Sequence, residues 1–211
     1  MRELSDYLRF AVTLTAVLDP FIAVPIFIGL TAGRSEADRL ALARVVTFTV
    51  AAVLGGSALF GDTLLRWTGT GLPAFRVGGG LVLLLMALAM LNAEAGGVRQ
   101  SRAEARELQA GMSSGVVPLA VPLLAGPGAI STTILAAQVG GVVHRVGILV
   151  CIALVCVFLW VMLRAAHAIA PRLGITGLNV ATRLLGLLLA AIAIETMAIG
   201  LKGLFPGFAG S

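Results

Sequence analysis

Six stretches of this chain are each long and apolar enough to cross a bilayer as a helix, and short connections join most of them. They cover roughly residues 6–31, 38–60, 73–92, 114–139, 146–165 and 179–203. A helix needs about 20 apolar residues to span the ~30 Å hydrocarbon layer. The charge content agrees: 12% of the 211 residues are charged, 59% are hydrophobic, and the mean hydropathy is +1.04. Soluble domains carry roughly 25% charged residues. So few charges cannot coat a globule of this size, and most of the surface must lie in lipid. The expected fold class is all-α: a polytopic membrane protein of six transmembrane helices.

The N-terminus does not read as a cleavable leader. Arg2, Glu3, Asp6 and Arg9 mix both signs, and the apolar stretch runs on past Asp19-Pro20. It is the first span. Ser35 followed by Glu36 and Asp38 reads as a cap with acids in the first turn, so the second helix starts there. The polar stretch 93–113 holds Glu94, Arg99, Arg102, Glu104, Arg106 and Glu107. It divides the chain into a first half (1–92, spans one to three), a linker (93–113) and a second half (114–211, spans four to six).

The net charge of +5 sits in the short loops, with no basic run interleaved with aromatics. That pattern sets topology and gives no support for nucleic-acid binding. One side holds Arg2, Arg9, Arg66, Arg145 and Lys202; the other holds Arg34, Arg39, Arg44, Arg99, Arg102, Arg106, Arg164 and Arg172. The richer side faces the cytoplasm. Both termini are then extracytoplasmic, and the linker is cytoplasmic. Cys151 and Cys156 lie on different faces of one span. His144 and His167 flank that span as interfacial residues. No Cys/His cluster has metal-ligand spacing, so neither a metal nor a cofactor is expected.

Sliding the chain against itself by 107 residues places Pro20 on Pro127, Gly33 on Gly140, Arg76 on Arg183, Gly79 on Gly186 and Met90 on Met197. An intramembrane proline and a helix-buried arginine at one common offset point to a duplication. Three spans per half is an odd number, so the halves cross the membrane in opposite senses. This is the inverted-repeat plan of many secondary transporters.

Spans one and four each carry a break. Leu18-Asp19-Pro20-Phe21 and Ala125-Gly126-Pro127-Gly128 lie near mid-span. Proline removes a donor and clashes with the preceding turn, yet suits the first position of a new helix. Asp19 and Gly126 are then the caps of two half-helices. Pro25, Pro118 and Pro122 free further carbonyls nearby. Half-helix N-termini meeting at the midplane favour an anionic group such as a carboxylate. Ser131, Thr132 and Thr133 either add hydroxyl donors there or bond back to their own helix. Gly126 and Gly128 let a ligand approach the backbone closely.

Charges inside spans are costly and mark function by default. Three roles are open to Asp19: binding a substrate ammonium, carrying a coupling proton, and capping its half-helix. Arg76 and Arg183 lie early in spans three and six and steady a gate or pair with an acid, against the plainer reading of snorkelling. Glu195 lies toward the same outer face as Arg76 and is the expected partner for it. Gly78-Gly79-Gly80 and Gly186 read as sites of close helix packing.

These segments resemble a known family. The run Val117-Pro118-Leu119-Ala120-Val121-Pro122-Leu123-Leu124-Ala125-Gly126-Pro127-Gly128-Ala129-Ile130 is similar to the signature of the MarC family of bacterial membrane proteins. So are Asp19-Pro20, Arg76-Val77-Gly78-Gly79-Gly80-Leu81 and Thr182-Arg183-Leu184-Leu185-Gly186. The resemblance implies the SnatA group of small neutral amino acid transporters and exporters, in a bacterial inner membrane. Under it the chain exports a glycine- or alanine-like substrate, with proton or cation coupling open to Asp19. The substrate-binding residues are then Asp19, Pro20, Phe21, Gly126, Pro127, Gly128, Ser131 and Thr132. The alternative is an exporter or permeation path for another small solute or ion. An intramembrane enzyme has no support, since Ser131 has no candidate base near it in sequence.

Overall fold

The computed structural model describes residues 2–31, 33–92, 124–138 and 140–209. The linker 93–113, Pro118 and Pro122 lie outside the described residues, as does the first part of span four. The described elements are helical: α1 (Arg2–Leu18), α2 (Pro20–Leu30), α3 (Glu36–Thr68), α4 (Leu72–Leu91), α5 (Pro127–Ala137), α6 (Val142–Arg164) and α7 (Ala166–Leu204). A short 3-10 turn, Pro206–Ala209, closes the described chain. Among the described residues, five apolar stretches are long enough to cross a membrane: Leu4–Leu30, which joins α1 to α2, then α3, α4, α6 and Thr176–Leu204 within α7. At 11 residues, α5 is too short to cross alone.

Local chemistry sets the boundaries. α2 stops at Thr31, whose N–H bonds the carbonyls of Phe27 and Ile28 at 3.0 and 3.2 Å and whose hydroxyl bonds Phe27 O at 2.7 Å. Gly33, at φ 73°, turns the chain. The Ser35 hydroxyl then accepts from the Asp38 N–H at 3.2 Å and starts α3, as the sequence predicts. α3 runs for 33 residues, eight beyond the apolar stretch read from sequence at its far end. It stops where Gly69 takes the left-handed conformation that favours glycine. α7 contains a kink at Gly174, with φ 63° and ψ 173°, ahead of its long apolar part.

α4 packs on α7, α3 on both α5 and α6, α1 on α5 and α6, and α2 on α6 and α7. Small residues decide how closely α4 and α7 approach. A Cβ on Gly80 would stand 2.9 Å from the Ala193 carbonyl and 3.1 Å from the Met197 N, and would also strike the Met197 side chain. A Cβ on Gly186 would stand 3.2 Å from the Ala87 carbonyl. Backbone therefore meets backbone, as the glycine pattern predicts. Gly78 differs, with nothing within 4 Å of a Cβ there.

At the end of the bundle shared by α1 and α6, the Tyr7 ring stacks on His144 with centroids 5.2 Å apart. His144 Nε2 lies 3.0 Å from the Ala136 carbonyl. Cys151 and Cys156 are both buried and free. The outward faces stay apolar: Phe48 is 76% exposed, Phe60 68% and Leu184 63%. Exposed apolar surface on this scale suits lipid rather than water.

The α4–α7 contact makes a clean test. Gly80→Ala should lower stability in detergent by about 1–3 kcal/mol, because two backbones would have to part. Gly78→Ala should be neutral or stabilise by up to about 1 kcal/mol through helix propensity. Thermal unfolding of the two purified variants beside the parent chain checks both.

Candidate functional site

The break between α1 and α2 is built by one side chain. Asp19 has φ 36° and ψ 75°, the sole non-glycine residue at positive φ among those described. Aspartate tolerates this region better than most residues, and such strain persists where surrounding structure enforces it. The backbone stays connected across the break: Asp19 N–H bonds the Thr15 carbonyl at 3.1 Å, and Ala23 N–H bonds the Asp19 carbonyl at 3.2 Å. In an unbroken helix, residues 20–22 would donate to the carbonyls of Ala16, Val17 and Leu18. Instead Pro20 has no N–H, and the Phe21 and Ile22 N–H groups donate to Asp19 Oδ1 at 3.2 and 3.3 Å. Pro25 lies within α2 and removes the donor that the Phe21 carbonyl would otherwise receive.

Asp19 is 6% exposed. Thr182 on α7 donates a hydrogen bond to its Oδ1 at 3.4 Å. Its other oxygen, Oδ2, is buried and has no hydrogen-bond partner among the described residues. The cap role is thus directly visible, and it uses one oxygen. The first half-helix is already capped by its own anion, so its N-terminus is not the open anion site that the sequence predicts.

The start of α5 is the converse. Gly126 caps it without a side chain, and Pro127 follows at the first position. Gly126 is buried and Pro127 exposed, whereas Pro20 is buried. Gly128 is not open to a ligand as expected from sequence. A Cβ there would strike the Met86 sulfur and stand 3.3 Å from Leu83 Cδ2 and 3.5 Å from Val17 Cγ1. Its missing side chain lets α5 nest against α1 and α4. Val17 is two residues before Asp19, so the two breaks lie side by side.

Ser131, Thr132 and Thr133 are buried at 6%, 8% and 0% exposure. None of their hydroxyl oxygens has a hydrogen-bond partner among the described residues. Thr13, Thr15, Thr31, Ser57 and Thr196 all bond the carbonyl four residues back. The three hydroxyls of α5 do not bond back to their own helix. Thr47 on α3 shares the condition. The Ser131 hydroxyl points at the bare Cα of Gly79 on α4. A buried polar group left bare costs about 1–3 kcal/mol. Being consecutive, the three point about 100° apart around α5 and face different neighbours, Ser131 facing α4.

The remaining charges are arranged differently from the expectation. Glu195 does not pair with Arg76; its Oε1 meets Arg9 Nη1 at 3.2 Å. The reason is helix phase. Ala193, Met197 and Gly200 face α4 and its Arg76. Glu195, about 200° around from Ala193, points away from that face toward α1. Arg76 is half-buried, and Arg183 is exposed. The side chain bonded to Asp19 that sequence reasoning did not single out is Thr182, whose neighbour Arg183 drew attention through the repeat.

A family profile described as "MarC family integral membrane protein" matches residues 4–205. The chain is 38% identical over 202 residues to the UPF0056 membrane protein YhcE of Escherichia coli, covering 95% of this chain and 94% of that one. It is 34% identical to the UPF0056 membrane protein YvbG of Bacillus subtilis, covering 92% and 93%. It is 33% identical to a UPF0056 membrane protein of Methanocaldococcus jannaschii, covering 89% and 92%. No solved structure matches it.

The cap predicts a graded response. Asp19→Ala should cost about 1–2 kcal/mol through the lost cap, and more through left-handed strain. Asp19→Asn should stay close to the parent, since Asn caps as well and tolerates positive φ. Unfolding midpoints in detergent separate the two.

Proposed function

This chain belongs to the MarC family of integral membrane proteins, and on that premise we propose that it is a secondary transporter exporting small neutral amino acids of glycine or alanine size. The observation that carries the reading is a pair of buried groups of opposite preference at neighbouring helix breaks. Asp19 Oδ2 has no partner among the described residues. Beside it, α5 begins without a side-chain cap and presents three unpartnered hydroxyls.

A zwitterion matches both. Its ammonium donates to Asp19 Oδ2. Its carboxylate accepts from the first N–H groups of α5 and from Ser131 or Thr132. A charge-assisted hydrogen bond contributes about 1.5–3 kcal/mol, and a helix N-terminus about 0.3–2 kcal/mol. Phe21, Pro20, Gly126 and Pro127 flank the two groups. Leu83, Met86 and Val17 fill the space beside Gly128 and so favour a small side chain on the substrate.

The inverted repeat supplies the transport geometry. α2 and α5 are both 11 residues long, both begin at a proline, and stand 107 residues apart. Packing between the halves occurs in exchanged pairs: α2 on α7 with α5 on α4, and α2 on α6 with α5 on α3. α4 on α7 and α3 on α6 are self-paired under the same exchange. Such a pattern follows from two related units, 1–92 and 114–211, joined by the cytoplasmic linker 93–113. Rocking one unit against the other would expose the breaks to each side in turn. Arg76 and Arg183 occupy equivalent positions on the long helices that flank this motion.

Counterflow in proteoliposomes tests the reading. Labelled glycine and alanine should exchange saturably, and large polar amino acids should not. Asp19→Asn should fold normally but exchange glycine at least about tenfold more weakly, since it keeps the cap and loses the charge. Undiminished exchange by Asp19→Asn would confine Asp19 to capping. Non-saturable flux would favour a permeation path instead.

Topology is tested separately, in a background with Cys151→Ala and Cys156→Ala. A cysteine introduced at Leu4 should react with an impermeant reagent from outside intact cells, and one at Ser101 should not.

A further inference from the structure

A cavity lies away from the breaks, where α2 ends, α3 begins, α6 ends and α7 begins. It has a volume of about 230 Å³. Phe27 and Leu163 form its floor and are almost wholly buried, at 5% and 1% exposure. Arg39, Arg164, His167 and Glu36 complete the lining. Three elements, α3, α6 and α7, thus bring two guanidiniums, an imidazole and one carboxylate around an apolar base to which α2 adds Phe27.

Both arginines are held in place without being neutralised. Arg39 Nε donates to the Arg34 carbonyl at 3.0 Å, which leaves its terminal nitrogens for another partner. The Arg164 guanidinium lies 5.4 Å from the centre of the Trp160 ring. Neither is ion-paired among the described residues; the ion pairs there join Arg9 to Glu195 and Arg66 to Asp62. Glu36 lines the same cavity yet pairs with neither. Two preorganised guanidiniums over an apolar floor suit a group that is anionic at one end and apolar at the other. The cavity is below the ~300 Å³ at which pockets for drug-sized ligands begin, so its occupant is small or only partly enclosed. Its position is the end of three spanning segments, where the headgroup layer meets the protein. Basic pockets between helices at this level bind lipid headgroups, and tryptophan is at home there.

We propose that this cavity binds the phosphodiester of a membrane phospholipid, with Arg39 and Arg164 on the phosphate. Glu36 then faces the headgroup beyond the phosphate and accepts from a hydroxyl. The acyl chains run down the apolar faces beside Phe27 and Leu163. Phosphatidylglycerol has this chemistry: phosphate, hydroxyl donors and acyl chains. Phosphatidylcholine has the phosphate but no donor for Glu36.

Native mass spectrometry of the full chain, released from detergent with equal amounts of the two lipids, reads the preference directly. The parent chain should retain phosphatidylglycerol over phosphatidylcholine by about tenfold or more, the value of one charge-assisted hydrogen bond. Arg39→Gln with Arg164→Gln should abolish retention, and Arg39→Lys with Arg164→Lys should restore part of it. Retention unchanged in the double glutamine variant overturns the site. So does a parent chain that holds the two lipids equally. If millimolar inorganic phosphate displaces the lipid from the parent chain, the ligand is a free phosphate and the lipid assignment fails. If the double glutamine variant does not elute as folded protein, the parent-chain competition and the two single glutamine variants decide.

Discussion

A helix broken in the middle of a membrane must find partners for its orphaned N–H groups, and lipid offers none. The structure solves this at Asp19 with the residue's own carboxylate, which takes the Phe21 and Ile22 N–H groups. The rest of the arrangement follows from that bond. The carboxylate must be buried, so α7 approaches and supplies Thr182. The chain must turn sharply enough for the side chain to reach its own helix, so Asp19 occupies the left-handed region. One oxygen is used by this geometry, and the other is buried without a partner among the described residues.

The second break solves the same problem differently. Gly126 has no side chain to offer, and the α5 hydroxyls do not turn back on their own helix. The two breaks are related by position in the chain, yet they differ in charge. One carries its own anion and the other invites one.

Much of this was legible in the sequence because it depends on backbone chemistry. Proline at Pro20 and Pro127 cannot donate, so the helix starts were fixed by residue type alone. Ser35, Glu36 and Asp38 announced the start of α3 for the same reason. The glycines at Gly80 and Gly186 marked close packing, and there the backbones touch. What escaped depends on how each helix is rotated about its axis. Glu195 found Arg9 because its side of α7 faces α1. Gly128 looked like access for a ligand, but its bare face is occupied by Met86, Leu83 and Val17. Thr182 carries no signal of its own, since one threonine among many apolar residues gains meaning only when α7 is laid against the break.

The length of α3 has a further consequence. Its 33 residues extend about 50 Å at 1.5 Å per residue. A tilt of 40°, the upper end of what membrane helices show, would reduce that to about 38 Å along the bilayer normal, still more than the ~30 Å of hydrocarbon. Tilt alone cannot hide this helix, so part of it must stand in the headgroup layer or beyond. Its last turns are suited to that place, with the Asp62–Arg66 ion pair at 2.8 Å and Trp67 86% exposed. Its partner α6 has 23 residues, close to a match for the layer. The pair therefore couples a span that fits the bilayer to one that overshoots it. A change in membrane thickness would load these two helices unequally and shear one along the other.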